Sequence, residues 1–357
     1  MKKIMIIVIA IFSFFVICLG GLYFYYNSSL KAVGSDTEKV TLVVENGMTT
    51  RSIVDSIYNA GLIKNKYCGY VFIKINKDYN LQAGVYDLHK GMSFKEILDY
   101  IAAGKVRDDS ISITFVEGKR IPYYVSEISK VFGYSEDEVM DVISDTDYLN
   151  QLIDKYWFLS DEILNKDIYY PLEGYLYPNT YQFNKDAKVE DIIEKLLYTT
   201  GVVLNEHKEL IDSSKYSVHE LLTMASIVEL EGANSDDRFG VAGVFFNRLE
   251  NGWSLGSDVT TYYAAKINFG DRDLYQYGID EVNAYNTRPA AMAGKLPVGP
   301  ICGPSSMAIE ATLKPSKHDY FYFVADKYKK TYFTKTYSEH TAIINKLKNE
   351  GLWYVYK

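Results

Sequence analysis

The chain has 357 residues, with 38 Lys and Arg against 46 Asp and Glu and a formal charge of -8. The length admits two or three domains with cores of their own, and the acidic balance excludes a general nucleic-acid binder, which needs a basic face or stripe. Cysteines at 18, 68 and 302 and a few scattered histidines form no disulfide framework or zinc motif, so neither a metal nor another cofactor is expected. His219-Glu220 opens like a zinc-protease string, but Thr223 stands where the second histidine is required. Tyrosine is abundant, and that abundance reads as compositional bias rather than as a sugar-stacking site.

Lys2 and Lys3 precede an uncharged apolar run from Ile4 to Tyr26, about the 20 residues needed to cross a bilayer. The run is longer than a signal-peptide core and ends in aromatic residues instead of a small-residue cleavage site, so it is expected to be retained. Residues 1–3 are then a cytoplasmic tail, 4–26 a single transmembrane helix and 27–39 a polar tether. Everything beyond is expected on the outer, cell-wall side of the cell membrane.

From Val40 a pattern recurs in which a β-type run leads to glycine and then to a short amphipathic helix. It occurs at 41–63, 83–105 and 111–133, and in the second copy Ser93 and Glu96 form a capping box and Gly104 a helix stop. This region, 40–134, resembles LysM modules, which bind N-acetylated glycan chains; a plain spacer is the structural alternative. Residues 134–167 read as helical and acidic. The segment YPLEGYLYPNTYQF at 170–183 is not a regular helix, because Pro171, Gly174 and Pro178 interrupt it. A lone Glu173 in such a loop more often ties backbone amides down than performs chemistry.

A polar helix over 189–203 leads to SVHELLTMASIVELEG at 217–232. Ser217 and Glu220 form a capping box, and Leu221, Leu222, Ala225 and Val228 recur at helical spacing, which predicts an amphipathic helix. Glu229 falls on or beside the apolar stripe in the last turn, and Glu231 points nearly the opposite way. Burial and the negative helix end both disfavour an ionised Glu229, and a carboxyl kept protonated near neutral pH is a candidate general acid. The structural alternative is an ion pair with Arg238 or Arg248 at the edge of a core helix.

A helix over 237–249 stops at Asn251-Gly252. SDVTTYYAA at 257–265 reads as a loop, and YNTRPAAMAGKLPVGPICGPSS at 285–306 leads into a short helix over 306–313. Strands at 319–325 and 331–333 and a helix over 338–347 complete an α+β domain.

The strings MASIVELEG, DRFGVAGVFFNRLENG, LEGYLYPNTY and YNT together resemble the YceG-like endolytic murein transglycosylases. The resemblance covers nearly everything after the apolar segment. It implies a catalytic domain over 135–357 with its core motifs in 170–340, and Glu229 as catalytic acid. It also implies substrate-binding roles for Glu173, Asn247, Asp258, Tyr285, Asn286 and Thr287. The implied reaction cleaves the MurNAc-GlcNAc bond of nascent glycan strands and leaves a 1,6-anhydro-MurNAc end, terminating elongation. The expected partners are glycan strands of peptidoglycan and membrane-bound peptidoglycan synthases. Val259, Arg288 and Cys302 depart from the family pattern, Val259 standing for a proline that would stiffen its loop. A non-catalytic, membrane-tethered LysM-like wall-binding scaffold is the alternative.

Overall fold

The computed structural model describes residues 2–76, 79–105, 110–234, 236–268 and 281–353; within helix α1 (Lys2–Ser29) side chains are described from Phe14 onward, except at position 16. Contacts divide the chain into two compact units, 1–113 with 180–186 and 114–179 with 187–357.

In the first unit, the segment expected to span a membrane is helical, but its first half lies outside the described side chains. Among the described residues no helix is long and apolar enough to cross a membrane. The helix runs on to Ser29, and the stretch expected as a tether makes backbone hydrogen bonds to the 90–94 segment. Val33 and Gly34 donate their backbone N–H groups to Lys90 O, and Leu30 O accepts from Phe94 N.

Strand β1 (Lys39–Val44) pairs antiparallel with β2 (Gly84–His89), with Lys39 opposite His89 and Val44 opposite Gly84. Between them lie α2 (Thr50–Asn59) and α3 (Lys66–Ile75), so the first strand-glycine-helix copy closes as a strand-helix-helix-strand unit. The second copy continues into α4 (Phe94–Ala102), capped by the expected Ser93–Glu96 box. Leu42, Val44, Ile53, Ile57, Tyr86, Phe94 and Ile97 form one buried core, since alternate strand residues and one face of each helix converge on it. Strand β3 (Ser110–Thr114) pairs with β4 (Thr180–Asn184), which the chain reaches only after a passage through the second unit.

The second unit opens with α5 (Ile121–Phe132), α6 (Glu136–Ser144) and α7 (Thr146–Lys155). The expected boundary at 134/135 therefore lies inside this unit. Helix α5 packs on α6, and Glu173 of the 170–179 loop accepts a hydrogen bond from its first residue, Ile121. After β4 come α8 (Val189–Glu206), α9 (Lys208–Asp212), α10 (Val218–Glu231) and α11 (Asp237–Glu250). The 257–265 stretch expected as a loop forms α12 (Asp258–Ala264), and Val259 is buried in it. The chain closes with α13 (Ser306–Leu313), the antiparallel pair β5 (Tyr322–Ala325) and β6 (Thr331–Thr334), and α14 (Tyr337–Asn349).

Helix α10 is the axis of this unit. It was expected to be amphipathic, yet every residue from Leu221 to Glu229 is buried. Met224, Ile227 and Val228 join Val241, Phe245, Val259, Tyr263, Ile301 and Ala308 in one core. The polar residues on its other faces are satisfied locally, as buried polar groups must be. Thr223 Oγ1 donates to His219 O at 2.7 Å, and Ser226 Oγ donates to Thr223 O while accepting Ile301 N. His219 bridges Tyr175 OH and Val298 O through its two ring nitrogens, a structural post rather than a ligand.

Candidate active site

Glu229 stands in the last turn of α10, where free carbonyls carry the negative end of the helix dipole. Its neighbours offset this. Arg238 Nη2, from the first turn of α11, donates to Oε1 at 2.6 Å. Ser305 donates to Oε2 from its backbone nitrogen at 3.0 Å and from its hydroxyl. Ser305 is also the N-cap of α13, accepting Ala308 N, so Oε2 faces the positive end of a second helix. The expected burial of Glu229 holds, and the ion pair with Arg238 holds with it. Arg248, the other expected partner, is engaged elsewhere. It donates to Phe321 O and Leu255 O and lies over the ring of Tyr322.

The other wall is the turn 117–120. Gly118 faces the Glu229 side chain, its N–H donates to Gly303 O at 2.8 Å, and Gly303 N returns a bond to Lys119 O at 2.9 Å. This exchange fixes the turn against the Cys302–Ser305 segment, which holds Oε2.

Glu173 lies behind that turn. Its carboxyl is buried, accepts Ile121 N on both oxygens at 3.2 Å and takes the hydroxyl of Tyr263 at 3.1 Å. Ile121 is the first residue of α5, whose N-cap Arg120 supplies no side-chain bond, so Glu173 caps the helix from a distance in sequence. Burial raises its proton affinity to a pKa of about 8 against the opposing hydrogen bonds of Ile121 and Tyr263 and the Arg120 charge. Gly174 is required beside it: its φ is +80°, and a Cβ would come within 2.4 Å of Pro300. Arg120 itself lies over the face of Tyr263, 4.8 Å from the ring centroid.

Tyr285, Asn286 and Thr287 are all buried. Tyr285 packs on Tyr169 and Tyr263 and accepts Tyr169 N. Asn286 accepts Thr261 Oγ1 and Arg288 N and donates to Glu281 O at 2.7 Å. Thr287 Oγ1 bonds Thr260 Oγ1 and accepts Ser257 N. Asn286 and Thr287 lock the start of α12 in place, and Tyr285 packs on Tyr263 near its end. Asn247 donates its amide to His318 O and Tyr320 O, tying α11 to the approach to β5. Asp258 is exposed and pairs with Arg288. None of these six side chains bonds Glu229. Glu173 and Tyr285 share Tyr263, and Asn286 and Thr287 share the 257–261 segment.

Glu231 takes its own direction, as expected, and accepts Ser257 Oγ at 2.6 Å. Burial raises its pKa, against the opposing bond of Ser257 and the charges of Arg248 and Arg288. Ser305, the 117–120 turn and Tyr263 are contacts of the site that motif reading did not single out. Only Ser305 left a local signal, as the polar residue ahead of the 306–313 helix.

The YceG-like family profile matches residues 42–346. The chain belongs to the YceG-like family. It is 34% identical over 325 residues to an endolytic murein transglycosylase of Bacillus subtilis, with 90% of this chain and 89% of the relative covered. It is 29% identical over 355 residues to the enzyme of that name from Streptococcus pneumoniae, and there it spans 63% of the relative's length. Among solved structures it is similar to a YceG-like protein of Listeria monocytogenes, with a TM-score of 0.61 and 32% identity, covering 86% of this chain and 99% of the other.

Proposed function

We propose that this protein is an endolytic peptidoglycan lytic transglycosylase whose acid and base are both Glu229. The supporting observation is a buried carboxylate at the end of α10 whose two oxygens are separately held, by Arg238 and by Ser305. The relatives at this level of identity carry the matching name. Protonated Glu229 donates to the oxygen between MurNAc and GlcNAc as its bond to C1 breaks. The carboxylate left behind meets the donors of Ser305. It then takes the proton of the C6 hydroxyl as O6 closes on C1, giving the 1,6-anhydro end. The intramolecular nucleophile has a large effective concentration, so no second enzyme carboxylate is needed, unlike in ordinary glycosidases. Glu173, Asn247, Tyr285, Asn286 and Thr287 support the site through backbone and core contacts, and Asp258 pairs with Arg288.

The strand-helix-helix-strand unit over 39–89 supports the LysM-like reading, with long glycan strands as its ligand. The uncharged run at 4–26 supports a single membrane anchor with both units on the cell-wall side, where synthases make the nascent strands that the enzyme would terminate.

Glu229→Gln tests the reaction. The amide keeps shape but cannot cycle a proton, so turnover of uncrosslinked strands should fall about 100- to 10,000-fold while strand binding persists. Normal cleavage by the variant contradicts the assignment. If the unmodified protein binds strands and cleaves none, the scaffold reading replaces it.

A further inference from the structure

Glu229 has to serve first as a proton donor and then as an acceptor, yet in this structure it is an ion-paired carboxylate. The pair is tight on both sides, since the Arg238 and Glu229 side chains are only 16% and 6% exposed. Arg238 has no other ion pair among the described residues, and its Nε is buried without an acceptor, so Glu229 is what holds the guanidinium. Arg238 also has little room to move. It packs on Gly232, where a Cβ would come within 2.5 Å of Arg238 Cγ.

The remaining titratable groups nearby do not compete for this contact. Cys302 is buried on the 301–305 segment within electrostatic reach of Glu229, Glu173, Arg120 and Arg238, and burial keeps its thiol neutral. Glu173 is engaged by Ile121 and Tyr263, Glu231 by Ser257, and Arg120 by the ring of Tyr263. Lys119 on the facing turn lies over Tyr123.

We propose that Arg238 is a positioning residue of the reaction, which aims Glu229 through Oε1 and stabilises the carboxylate that proton donation leaves. This rests on Glu229 as the acid. The atoms balance over the two proton transfers: the proton lent to the glycosidic oxygen is recovered from the C6 hydroxyl, and Arg238 stays protonated throughout.

The test uses the full chain with Arg238→Gln and Arg238→Lys, following kcat and KM separately on uncrosslinked strands. With the guanidinium removed, Oε1 loses its charged donor and the carboxylate left by proton donation loses its counter-charge. Arg238→Gln should lower kcat about 10- to 100-fold with KM little changed, while Arg238→Lys, which keeps the charge, recovers part of the loss. An unchanged kcat in Arg238→Gln, or a fall as large in Arg238→Lys, overturns the proposal.

Thermal unfolding gives a second reading that does not need activity. Arg238→Gln should lose stability relative to the unmodified protein at neutral pH, and Glu229→Gln in the same chain should abolish that loss. Persistence of the loss in the double variant overturns the proposal. If Glu229→Gln alone stays fully active, the assignment of the acid fails instead, and the unfolding comparison still decides whether the pair exists.

Discussion

Glu229 and Glu173 are both buried carboxyls in the same unit, and their partners divide their roles. Glu229 faces a guanidinium and Ser305, whereas Glu173 faces one backbone amide and a phenol and keeps its proton to a pKa of about 8. Linkage gives this a measurable sign. A carboxyl that binds its proton more tightly folded than unfolded contributes stability fully below pH 4.5, which is lost progressively as pH rises to about 8. The loss has an upper bound of ~5 kcal/mol. Glu173→Gln should therefore match the unmodified protein near pH 5 and exceed it in melting temperature near pH 9; parallel pH curves for the two proteins would contradict this. The residue types of the site were legible because a carboxyl on a buried helix stripe is conspicuous. Their partners were not, because Ser305 lies 76 positions from Glu229 and Ile121 lies 52 from Glu173, and only the folded chain brings them together.

Among the elements, those with local signals were read correctly. The Ser93–Glu96 and Ser217–Glu220 boxes are three-residue contacts and both form. Helix α13 covers the 306–313 span that the sequence predicts. Two readings failed for one reason, tertiary burial. The helical spacing of Leu221, Leu222, Ala225 and Val228 made α10 look amphipathic, but Thr223 and Ser226 are buried as well, with hydroxyls that bond within the helix and let the 301–302 segment approach. The 257–265 stretch became α12 because Asn286 and Thr287 pin its first turn. Asn286→Ala should thus act on stability: removing a buried amide that holds the Thr261 hydroxyl and leaves Glu281 O without its donor should cost ~2 kcal/mol, a few degrees of melting temperature. A variant that melts normally and shows only a raised KM would instead make Asn286 a substrate ligand.

At the scale of the whole molecule, the α+β class and the repeated strand-glycine-helix pattern were legible, while the division into units was not. Hydrophobic periodicity grouped α5 with the two earlier copies, but the Glu173 contact and the Gly118–Gly303 exchange bind its N-terminal turn within the second unit. Periodicity reports which face is buried and not against what. The apolar run at 4–26 leads to a topology prediction that depends on charge: Lys2 and Lys3 should hold the N-terminus in the cytoplasm. A reporter active only in the cytoplasm, fused at the C-terminus, should be silent, and strong activity would reverse the assigned orientation.

The most direct measurement is mass spectrometry of the products released from uncrosslinked murein strands by the unmodified protein and by Glu229→Gln. One carboxyl acting with the substrate's own C6 hydroxyl should give strands ending in 1,6-anhydro-MurNAc, and the variant should give almost none. Products ending in reducing sugars would mean that water is the nucleophile, and the single-carboxyl account would be wrong.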